Sequence, residues 1–383
     1  MKETDIFVTC HPHIGPILAK EIERLGFPVL EEGIKGVLTQ GDYSDTMKLN
    51  LWLRSANKVL YKIADFEATE PGELYKRTFK IDWENIIPDQ GYLSIDSSIK
   101  NDSIRDNRFA NLKLKDAIVD RIRKKTERRP DTGPYKDRTV IFLFWHKNQA
   151  RIYLDTSGET ISKHGYRKNP YKAPMIESLA AATIMASNWN QSVPFVNPMC
   201  GSGTLAIEAA LMVQNKAPGL FRNNFGFMHT KLFSEDQWKS IRDEASKQVK
   251  KNADIKIVAT DISVEAILAA KMNAKNAEVD HLIEFEKCDF RETTIPAEEG
   301  MIILNPEYGE RIGELDELED TYRDIGDFFK TNCAGHTGFI FTGNLDLAKR
   351  VGLKASSRTI FFNGKIECRL LKYELYKGTK RTK

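Results

Sequence analysis

Two short motifs contain the residues of this chain that are best suited to chemistry. The first, FVNPMCGSGT at residues 195–204, has the form of a strand that leads through a glycine loop into a helix. The second, ILNPEYGER at residues 303–311, places an Asn, a Pro and a Tyr after an apolar strand. Together the two motifs predict a methyl transfer to an exocyclic amine.

An exocyclic amine is a poor nucleophile, because its lone pair is delocalised into the ring. The Asn305 side-chain oxygen and the Pro306 main-chain carbonyl can accept its two hydrogens, which turns the lone pair toward a sulfonium methyl group. Tyr308 can stack on a base that has been taken out of its helix. No metal is needed, since the leaving group is a neutral thioether. We therefore predict that these three residues are catalytic; the alternative is an Asn-Pro turn that only ends a strand.

The glycine loop predicts a cofactor site. Gly201 and Gly203 let the backbone approach a ligand closely, and the helix that begins at Thr204 directs free N–H groups toward an acidic group. A dinucleotide satisfies this pattern as well as S-adenosylmethionine does, but a hydride-transfer enzyme has no use for the NPEY motif. Asp261 is suited to ribose hydroxyls and Asp289 to the adenine amino group, although each could instead be a helix cap or a turn residue. Neighbours in the same loops are predicted to join the site: Asn197, Pro198, Cys200, Thr204, Ile262 and Phe290.

A parallel sheet is needed to bring these motifs together. From residue 170 onward, strands alternate with long helices, as in such a sheet. Two β-rich runs, 359–362 and 366–376, are joined by Asn363-Gly364, a strong hairpin signal. We predict an α/β fold, a class I Rossmann-like methyltransferase domain whose mostly parallel sheet ends in an antiparallel hairpin, an outline shared by many Rossmann-like proteins. The other predicted strands are 195–197, 255–260, 283–286, 301–304 and 337–342, and the helices are 176–189, 204–214, 264–277 and 318–332.

The first 160 residues predict an α+β module with a basic helix. Small α/β units cover residues 6–49 and 92–156, and the segment between them has no clear pattern. Between residues 100 and 147 there are 14 Lys or Arg and 7 Asp or Glu, whereas the net charge of the whole chain is only +3. The densest run, RIRKKTERR, ends an amphipathic helix predicted over 112–124. A solvated helix face is one interpretation. The other, since an RNA backbone attracts such a patch, is that Arg121, Lys124, Lys125 and Arg128 contact RNA.

Length and composition set broader limits. A chain of 383 residues has room for two or three domains. Its hydrophobic content of 41% and charged content of 29% are typical of soluble proteins. The five cysteines form no CxxC pair, which argues against a zinc or redox site. The sequence has no apolar run long enough for a membrane span and no leader-like N-terminus, so we predict a cytoplasmic protein without a metal or a membrane partner.

Four segments of the chain resemble one bacterial family. The two motifs, with LDTSGETISKHGYRK at residues 154–168 and KAPMIESLAA at residues 172–181, closely resemble the 23S ribosomal RNA guanine-N2 methyltransferases. In that family a ferredoxin-like segment and a THUMP domain precede a class I methyltransferase domain. The resemblance implies a ferredoxin-like segment at 1–55, an RNA-binding THUMP domain at 56–160, and a methyltransferase domain at 161–383 with an aromatic and charged insertion at 215–252.

The resemblance also implies roles for single residues. S-adenosylmethionine is held by Gly201, Gly203, Asp261 and Asp289 with Pro174 and Glu177 beside it, and the target base by Asn305, Pro306 and Tyr308. Asn197 stands where the family often has Asp, and Glu307 replaces the second Pro of the commoner NPPY. We hypothesise that the Glu307 carboxylate accepts a hydrogen bond from guanine N1–H and so selects guanine over adenine. Arg311 is predicted to contact phosphate or to order the loop.

Several functions remain open at this stage. The leading prediction is a guanine-N2 methyltransferase that acts on 23S ribosomal RNA or on a ribosome-assembly intermediate. A tRNA methyltransferase with the same chemistry is a close alternative. More distant alternatives are a DNA adenine-N6 methyltransferase, a non-catalytic RNA-binding factor and a dinucleotide oxidoreductase. The sequence predicts no particular oligomeric state.

Overall fold

Segments from distant parts of the chain combine into two α/β units. The structure, a computed structural model, describes residues 3–101, 104, 106–172, 174–250, 255–308 and 315–377. The first unit comprises Met1–Cys10, Leu18–Ile161 and Arg222–Ala245, and the second comprises His11–Ile17, Ser162–Phe221 and Ser246–Lys383. Neither unit is therefore a single continuous stretch of sequence.

Among the described residues, the first unit contains one eight-stranded sheet with the order β2-β3-β1-β4-β8-β7-β5-β6. Its strands are β1 (Thr4–Cys10), β2 (Glu31–Gly33), β3 (Gly36–Gly41), β4 (Ala56–Glu67), β5 (Tyr92–Lys100), β6 (Asp131–Thr132), β7 (Thr139–His146) and β8 (Gln149–Asp155). Strand β4 pairs antiparallel with β1 on one side and with β8 on the other. The predicted ferredoxin-like and THUMP segments consequently share one sheet.

Among the described residues, four α-helices lie between these strands in sequence. They are α1 (Gly15–Arg24), α2 (Tyr43–Trp52), α3 (Pro71–Phe79) and α4 (Asn107–Thr126). The basic helix α4 begins five residues before its predicted start, because the Asp106 side chain caps it by accepting from Arg108 N–H. Strand β4 and helix α3 lie in the segment for which the sequence showed no pattern. That interpretation was wrong, since Ala56–Glu67 forms a strand that pairs with β1 and β8.

In the described residues of the second unit, a seven-stranded sheet has the order β11-β10-β9-β12-β13-β15-β14. Its strands are β9 (Phe195–Pro198), β10 (Ile257–Asp261), β11 (Ile283–Lys287), β12 (Met301–Leu304), β13 (Thr337–Thr342), β14 (Ser357–Asn363) and β15 (Ile366–Glu374). Strands β9 to β13 are parallel, and β15 is antiparallel to β13 and β14. The strand order reverses at β9, and ligands bind at such a switch point.

Helices cover both faces of this sheet. These helices are α5 (Glu177–Ala186), α6 (Thr204–Val213), α8 (Val264–Asn276), α9 (Leu315–Thr331) and α10 (Leu345–Arg350), whereas α7 (Glu235–Lys247) falls mostly within the first unit. Helix α6 packs against α5, α8 and strands β9 and β10. Helices α9 and α10 pack on the opposite face, where Tyr322 and Phe329 join Val196, Ile302 and Ile340 in a buried core. The predicted α/β fold with a parallel sheet and a C-terminal hairpin is confirmed.

The C-terminal hairpin differs from its prediction by one residue. Asn363 pairs with Ile366, so the turn consists of Gly364 and Lys365 rather than Asn363-Gly364. Gly364 has a φ of +63°, which a glycine adopts without strain. Asn363 therefore belongs to the strand. Next to it, the Phe362 ring stacks on His13 with a centroid distance of 5.5 Å and an interplanar angle of 14°.

The segment predicted as an insertion, 215–252, contains helix α7 and two 3₁₀ turns. Its residues 222–245 belong to the first unit. There, Phe227 stacks on Phe225 at 5.0 Å and meets Trp238 edge-on at 5.0 Å. The Tyr43 hydroxyl donates to the Phe227 carbonyl oxygen at 3.1 Å. These contacts make the aromatic residues of this segment part of a packed core.

Candidate active site

The glycine loop connects β9 to α6 through three residues with left-handed backbones. Met199, Gly201 and Gly203 have φ values of +56°, +55° and +81°. A Cβ at Gly203 would lie 2.9 Å from the Ala270 Cβ on α8, so only glycine fits between these two helices. A Cβ at Gly201 would meet no atom within 4 Å. Gly201 therefore allows the tight turn of the loop, whereas Gly203 allows the start of α6 to lie close to α8.

Asp261 lies beside this loop. Its Oδ2 accepts a hydrogen bond from Gly201 N–H at 2.9 Å, and its Oδ1 accepts one from Ser263 N–H at 3.0 Å. Ile262, the next residue, is 66% exposed and, like Asp261, lines a cavity at this edge of the sheet. The carboxylate and an apolar surface thus lie together at the carboxyl end of β10.

Asp289 is held by a basic neighbour. Its carboxylate accepts from Arg291 Nε at 2.8 Å and from Arg291 Nη2 at 2.7 Å. The Arg291 Nη1 atom donates to Asp324 on α9 at 2.9 Å. The hydrogen bonds from Arg291 lower the pKa of Asp289, so this carboxylate is ionised at neutral pH. Sequence reasoning missed Arg291, which lies two residues after a predicted site residue.

The NPEY motif follows β12, which is adjacent to β9 in the sheet. The Asn305 Oδ1 atom is buried and accepts no hydrogen bond from any residue that the structure describes. Pro306 is buried next to it. The Tyr308 hydroxyl oxygen accepts a hydrogen bond from Asn363 Nδ2 at 2.9 Å. Glu307 is exposed and forms an ion pair with Lys172, with 2.6 Å between Oε1 and Nζ.

Asn197 connects the two motifs through the sheet. Its Nδ2 donates to the Ile303 carbonyl oxygen at 2.9 Å, while its Oδ1 is buried without a partner among the described residues. An Asp here would have no N–H to donate to that carbonyl. Asn197 therefore bonds β9 to β12 directly before the NPEY motif.

The segment before α5 contains a buried polar network. His164 Nδ1 lies 2.7 Å from Glu208 Oε1, with both side chains fully buried. Arg167 Nη2 donates to Glu177 Oε2 at 2.9 Å, and Arg167 Nη1 donates to Thr204 Oγ1 at 3.1 Å. Burial raises the pKa of Glu177, and the charge of Arg167 opposes that rise. Glu177 therefore positions Arg167 from within the fold.

One cavity of about 730 Å³ gathers most of the predicted residues. This volume is in the range of small-molecule and cofactor sites. Predicted residues that line it are Pro174, Asn197, Cys200, Gly201, Thr204, Asp261, Ile262, Asp289, Phe290, Asn305, Pro306, Glu307 and Tyr308. Pro198, Gly203 and Glu177 are outside the lining, and Arg311 lies outside the described residues. Lys172, Arg291, Thr321, Asp324 and Asn363 line the cavity without having been predicted.

The charges of the cavity favour a cationic ligand. Within the described lining there are four carboxylates, from Asp261, Asp289, Glu307 and Asp324, and two cationic side chains, from Lys172 and Arg291. Both cationic groups are already paired with these carboxylates. A sulfonium cofactor suits such a surface, whereas a diphosphate would meet repulsion.

The predicted RNA-contacting residues of α4 differ in their surroundings. Arg121 is paired with Asp82 and with Glu84, the latter at 2.7 Å. The side chains of Lys124, Lys125 and Arg128 are exposed. The Lys124 ammonium lies 5.6 Å from the Phe79 ring centroid, and Arg128 is 3.3 Å from Asp89. Arg121 and Arg128 thus have carboxylate partners, and all but Arg121 are exposed to solvent.

Two further properties concern the described residues alone. They contain no group of three or more His, Cys, Asp or Glu side chains that could hold a metal ion. None of their helices combines the length and the apolar character that crossing a membrane requires.

The topology and the cavity define the class of protein: a class I methyltransferase fold with a glycine loop after its first strand and an acid after its second. Family comparisons specify this further. Residues 164–372 match the RMKL-like methyltransferase domain, residues 5–60 the RlmL ferredoxin-like domain and residues 68–155 the THUMP domain. The chain belongs to the RMKL-like methyltransferase family. The resemblance drawn from the sequence motifs is confirmed at this level.

Relatives and solved structures agree with the family. The ribosomal RNA large subunit methyltransferase K/L of Syntrophotalea carbinolica is 34% identical over 96% of this chain and 53% of that protein. This chain thus spans about half the length of that relative. A candidate RNA methyltransferase of Synechocystis sp., slr0064, is 35% identical over 97% of this chain and 96% of that protein. The crystal structure of SMU.472, a candidate methyltransferase complexed with SAH, covers 99% of this chain and 100% of its own, with a TM-score of 0.89 and 28% identity.

Proposed function

We propose that this protein is an S-adenosylmethionine-dependent methyltransferase that modifies the exocyclic N2 amine of a guanine in 23S ribosomal RNA. The observation that carries the proposal is the Asn305 side-chain oxygen, which is buried at a cofactor-sized cavity and has no partner among the described residues. A buried acceptor without a donor is costly unless a ligand supplies one. The amine of an extruded base would supply it.

The cofactor would occupy the part of the cavity between the glycine loop and Asp261. S-adenosylmethionine, when bound, supplies an electrophilic methyl group and a neutral thioether as leaving group. The Asp261 carboxylate is suited to the ribose hydroxyls, and exposed Ile262 offers an apolar surface to the adenine ring. The excess of carboxylates in the lining stabilises the positive sulfonium. The similar structure of SMU.472, which is a complex with SAH, supports this assignment.

The NPEY residues would prepare the base. Asn305 Oδ1 and the Pro306 carbonyl accept the two amine hydrogens, which orients the nitrogen lone pair away from them and toward the methyl group. The bond from methyl to sulfur breaks as the bond to nitrogen forms, and the methylated nitrogen then gives a proton to water. Tyr308 stacks on the base, and Asn363 and Ile366 of the hairpin line the same part of the cavity.

RNA is the partner that best explains the rest of the chain. The match to the THUMP domain and the exposed Lys124, Lys125 and Arg128 support RNA capture by residues 1–160. The rRNA methyltransferase names of the relatives favour ribosomal RNA, which would be met in the cytoplasm. We assign the ferredoxin-like segment to 1–55, the THUMP domain to 56–160 and the methyltransferase domain to 161–383.

The proposal is tested by incubating the protein with radiolabelled S-adenosylmethionine and, in parallel, unmodified 23S ribosomal RNA, bulk tRNA and duplex DNA. Nucleoside analysis should find N2-methylguanosine in the 23S RNA. Asn305→Ala should lower the rate about 100-fold or more, the scale for losing one hydrogen-bond partner of a transition state, while S-adenosylhomocysteine still binds. The same product in tRNA would change the substrate. N6-methyladenine in DNA, or no label in any pool, would contradict the proposal.

A further inference from the structure

The Lys172–Glu307 ion pair is a contact that binding of a base could replace. Its two side chains line the cavity and are 63% and 64% exposed, with 2.6 Å between Nζ and Oε1. An exposed pair of this kind adds little to folding stability. Its loss on ligand binding therefore leaves the fold intact.

Described residues three positions before and three positions after Lys172 take part in hydrogen bonds. Asn273 Oδ1 accepts a hydrogen bond from Asn169 N–H at 3.0 Å, and Arg167 donates to the Met175 carbonyl oxygen. The hydrogen bond to the Glu307 carboxylate raises the pKa of Lys172, so the ammonium keeps its charge at neutral pH.

The carboxylate of Glu307 matches one base edge better than the others. Guanine presents an N1–H donor beside the N2 amine, and this donor can take the place of an ammonium on a carboxylate. Adenine and 2-aminopurine have a bare N1 acceptor at the same position, which a carboxylate repels. Only a guanine edge can therefore exchange with Lys172 on Glu307 at little cost.

We propose that Lys172 and Glu307 form an exchangeable base filter, in which Lys172 occupies the Glu307 carboxylate until the N1–H donor of guanine displaces it. This inference rests on the proposed function, since it assumes a guanine in the cavity. Lys172 acts through Glu307 and does not touch the reacting atoms. By competing for Glu307, Lys172 sets how strongly a base must bind this carboxylate in order to enter the cavity.

The test uses RNA with guanine or 2-aminopurine at the position that the wild-type enzyme methylates. Lys172→Met removes the competitor, so its KM for guanine RNA should be about two- to five-fold lower than that of Lys168→Met, the factor corresponding to one exposed ion pair. The kcat should be unchanged. Lys168→Met is the matched control, since Lys168 is also exposed and its loss removes the same charge outside the cavity lining.

The second arm of the test changes the carboxylate. Glu307→Gln offers an amide N–H to a bare N1, so the preference for guanine over 2-aminopurine in kcat/KM should fall about tenfold. In the Glu307→Gln background, Lys172→Met and Lys168→Met should have equal KM values, because Lys172 has lost the group through which it acts.

The outcomes separate the inference from the proposed function. A wild-type enzyme that produces no N2-methylguanosine overturns the proposed function and this inference with it. If the wild-type enzyme methylates guanine, an equal KM for the two Lys variants overturns the inference alone. So does a guanine preference that survives Glu307→Gln. Melting temperatures of all variants, measured in parallel, identify any loss of activity caused by unfolding.

Discussion

The Asp261 carboxylate accepts a hydrogen bond from Gly201 N–H at 2.9 Å, although 60 residues separate the two in sequence. Its other oxygen accepts from Ser263 N–H. Both oxygens are therefore directed by backbone donors. This arrangement fixes the acid against the glycine loop and leaves its remaining lone pairs for a ligand.

Asp261→Asn should weaken cofactor binding without unfolding the protein. An amide has one oxygen for two backbone donors, so its NH₂ group must face either Gly201 N–H or Ser263 N–H. We expect the affinity for S-adenosylhomocysteine, measured by calorimetry, to fall about 10- to 100-fold, as expected for a lost charged hydrogen bond. Asp280→Asn, at an exposed acid outside the cavity lining, is the control. Equal affinity for both variants would show that Asp261 does not support this site.

Asn363→Ala should weaken the use of the RNA substrate and leave cofactor binding unchanged. Asn363 Nδ2 donates to the Tyr308 hydroxyl oxygen, and the Tyr308 ring lies close to Gly343, where an added Cβ would be 3.0 Å from it. Loss of this hydrogen bond loosens one side of the ring. We expect kcat/KM for RNA to fall about 3- to 10-fold, with S-adenosylhomocysteine affinity unchanged. Lys365→Ala, at an exposed residue of the adjacent turn, should retain activity. A matching loss of cofactor affinity would contradict the assignment of Asn363 to the base.

Gly203→Ala and Gly364→Ala should distinguish two ways in which replacing a glycine destabilises the fold, which are backbone strain and overpacking. Both residues have a positive φ, +81° and +63°, but only at Gly203 would a Cβ meet a neighbour, 2.9 Å from the Ala270 Cβ. Gly364→Ala should cost about 1 kcal/mol from backbone strain alone. Gly203→Ala should cost about 2–4 kcal/mol, because overpacking adds to the strain. Urea denaturation measures both, and equal losses would mean that α6 and α8 can move apart.

Arg291→Met should produce a pH-dependent loss of stability. The hydrogen bonds from Arg291 lower the pKa of Asp289, so the folded state gains stability above the ordinary carboxyl pKa and loses it as the pH falls through the folded pKa. At pH 7 the variant should be less stable by about 0.5–1 kcal/mol, given that the pair is partly exposed. The difference should shrink below a pH of about 4. Urea titrations at pH 7, 5, 4 and 3 measure it, and a constant difference would attribute the loss to packing.

Local patterns predicted much of the site correctly. Glycine, Asn-Pro and acidic residues at the ends of apolar strands indicated one edge of a parallel sheet, and the carboxyl ends of β9, β10 and β12 do meet there. The strand β4 was missed, because buried and exposed residues do not alternate along it. Its assignment depends on pairing with β1 and β8, which no local pattern specifies.

The site residues that sequence reasoning missed have contact partners that are far away in the sequence. Lys172 meets Glu307 across 135 residues, and Asn363 meets Tyr308 across 55. Each of these side chains is unremarkable in its own segment. The prediction that Asn363 belongs to a turn was wrong by one residue, and that residue is the one that contacts Tyr308. Whether the single residues act as proposed stays a prediction for the experiments above.

The interleaving of the two units has a consequence for synthesis on the ribosome. Residues 11–17 belong to the second unit, where His13 stacks on Phe362 of β14. The first unit, in turn, waits for residues 222–245 before Tyr43 gains its partners Phe227 and Thr230. Neither unit can finish folding from its own uninterrupted stretch of nascent chain. Both units therefore need residues from beyond residue 220 before they are complete, and a cut between residues 160 and 161 would leave both unfinished.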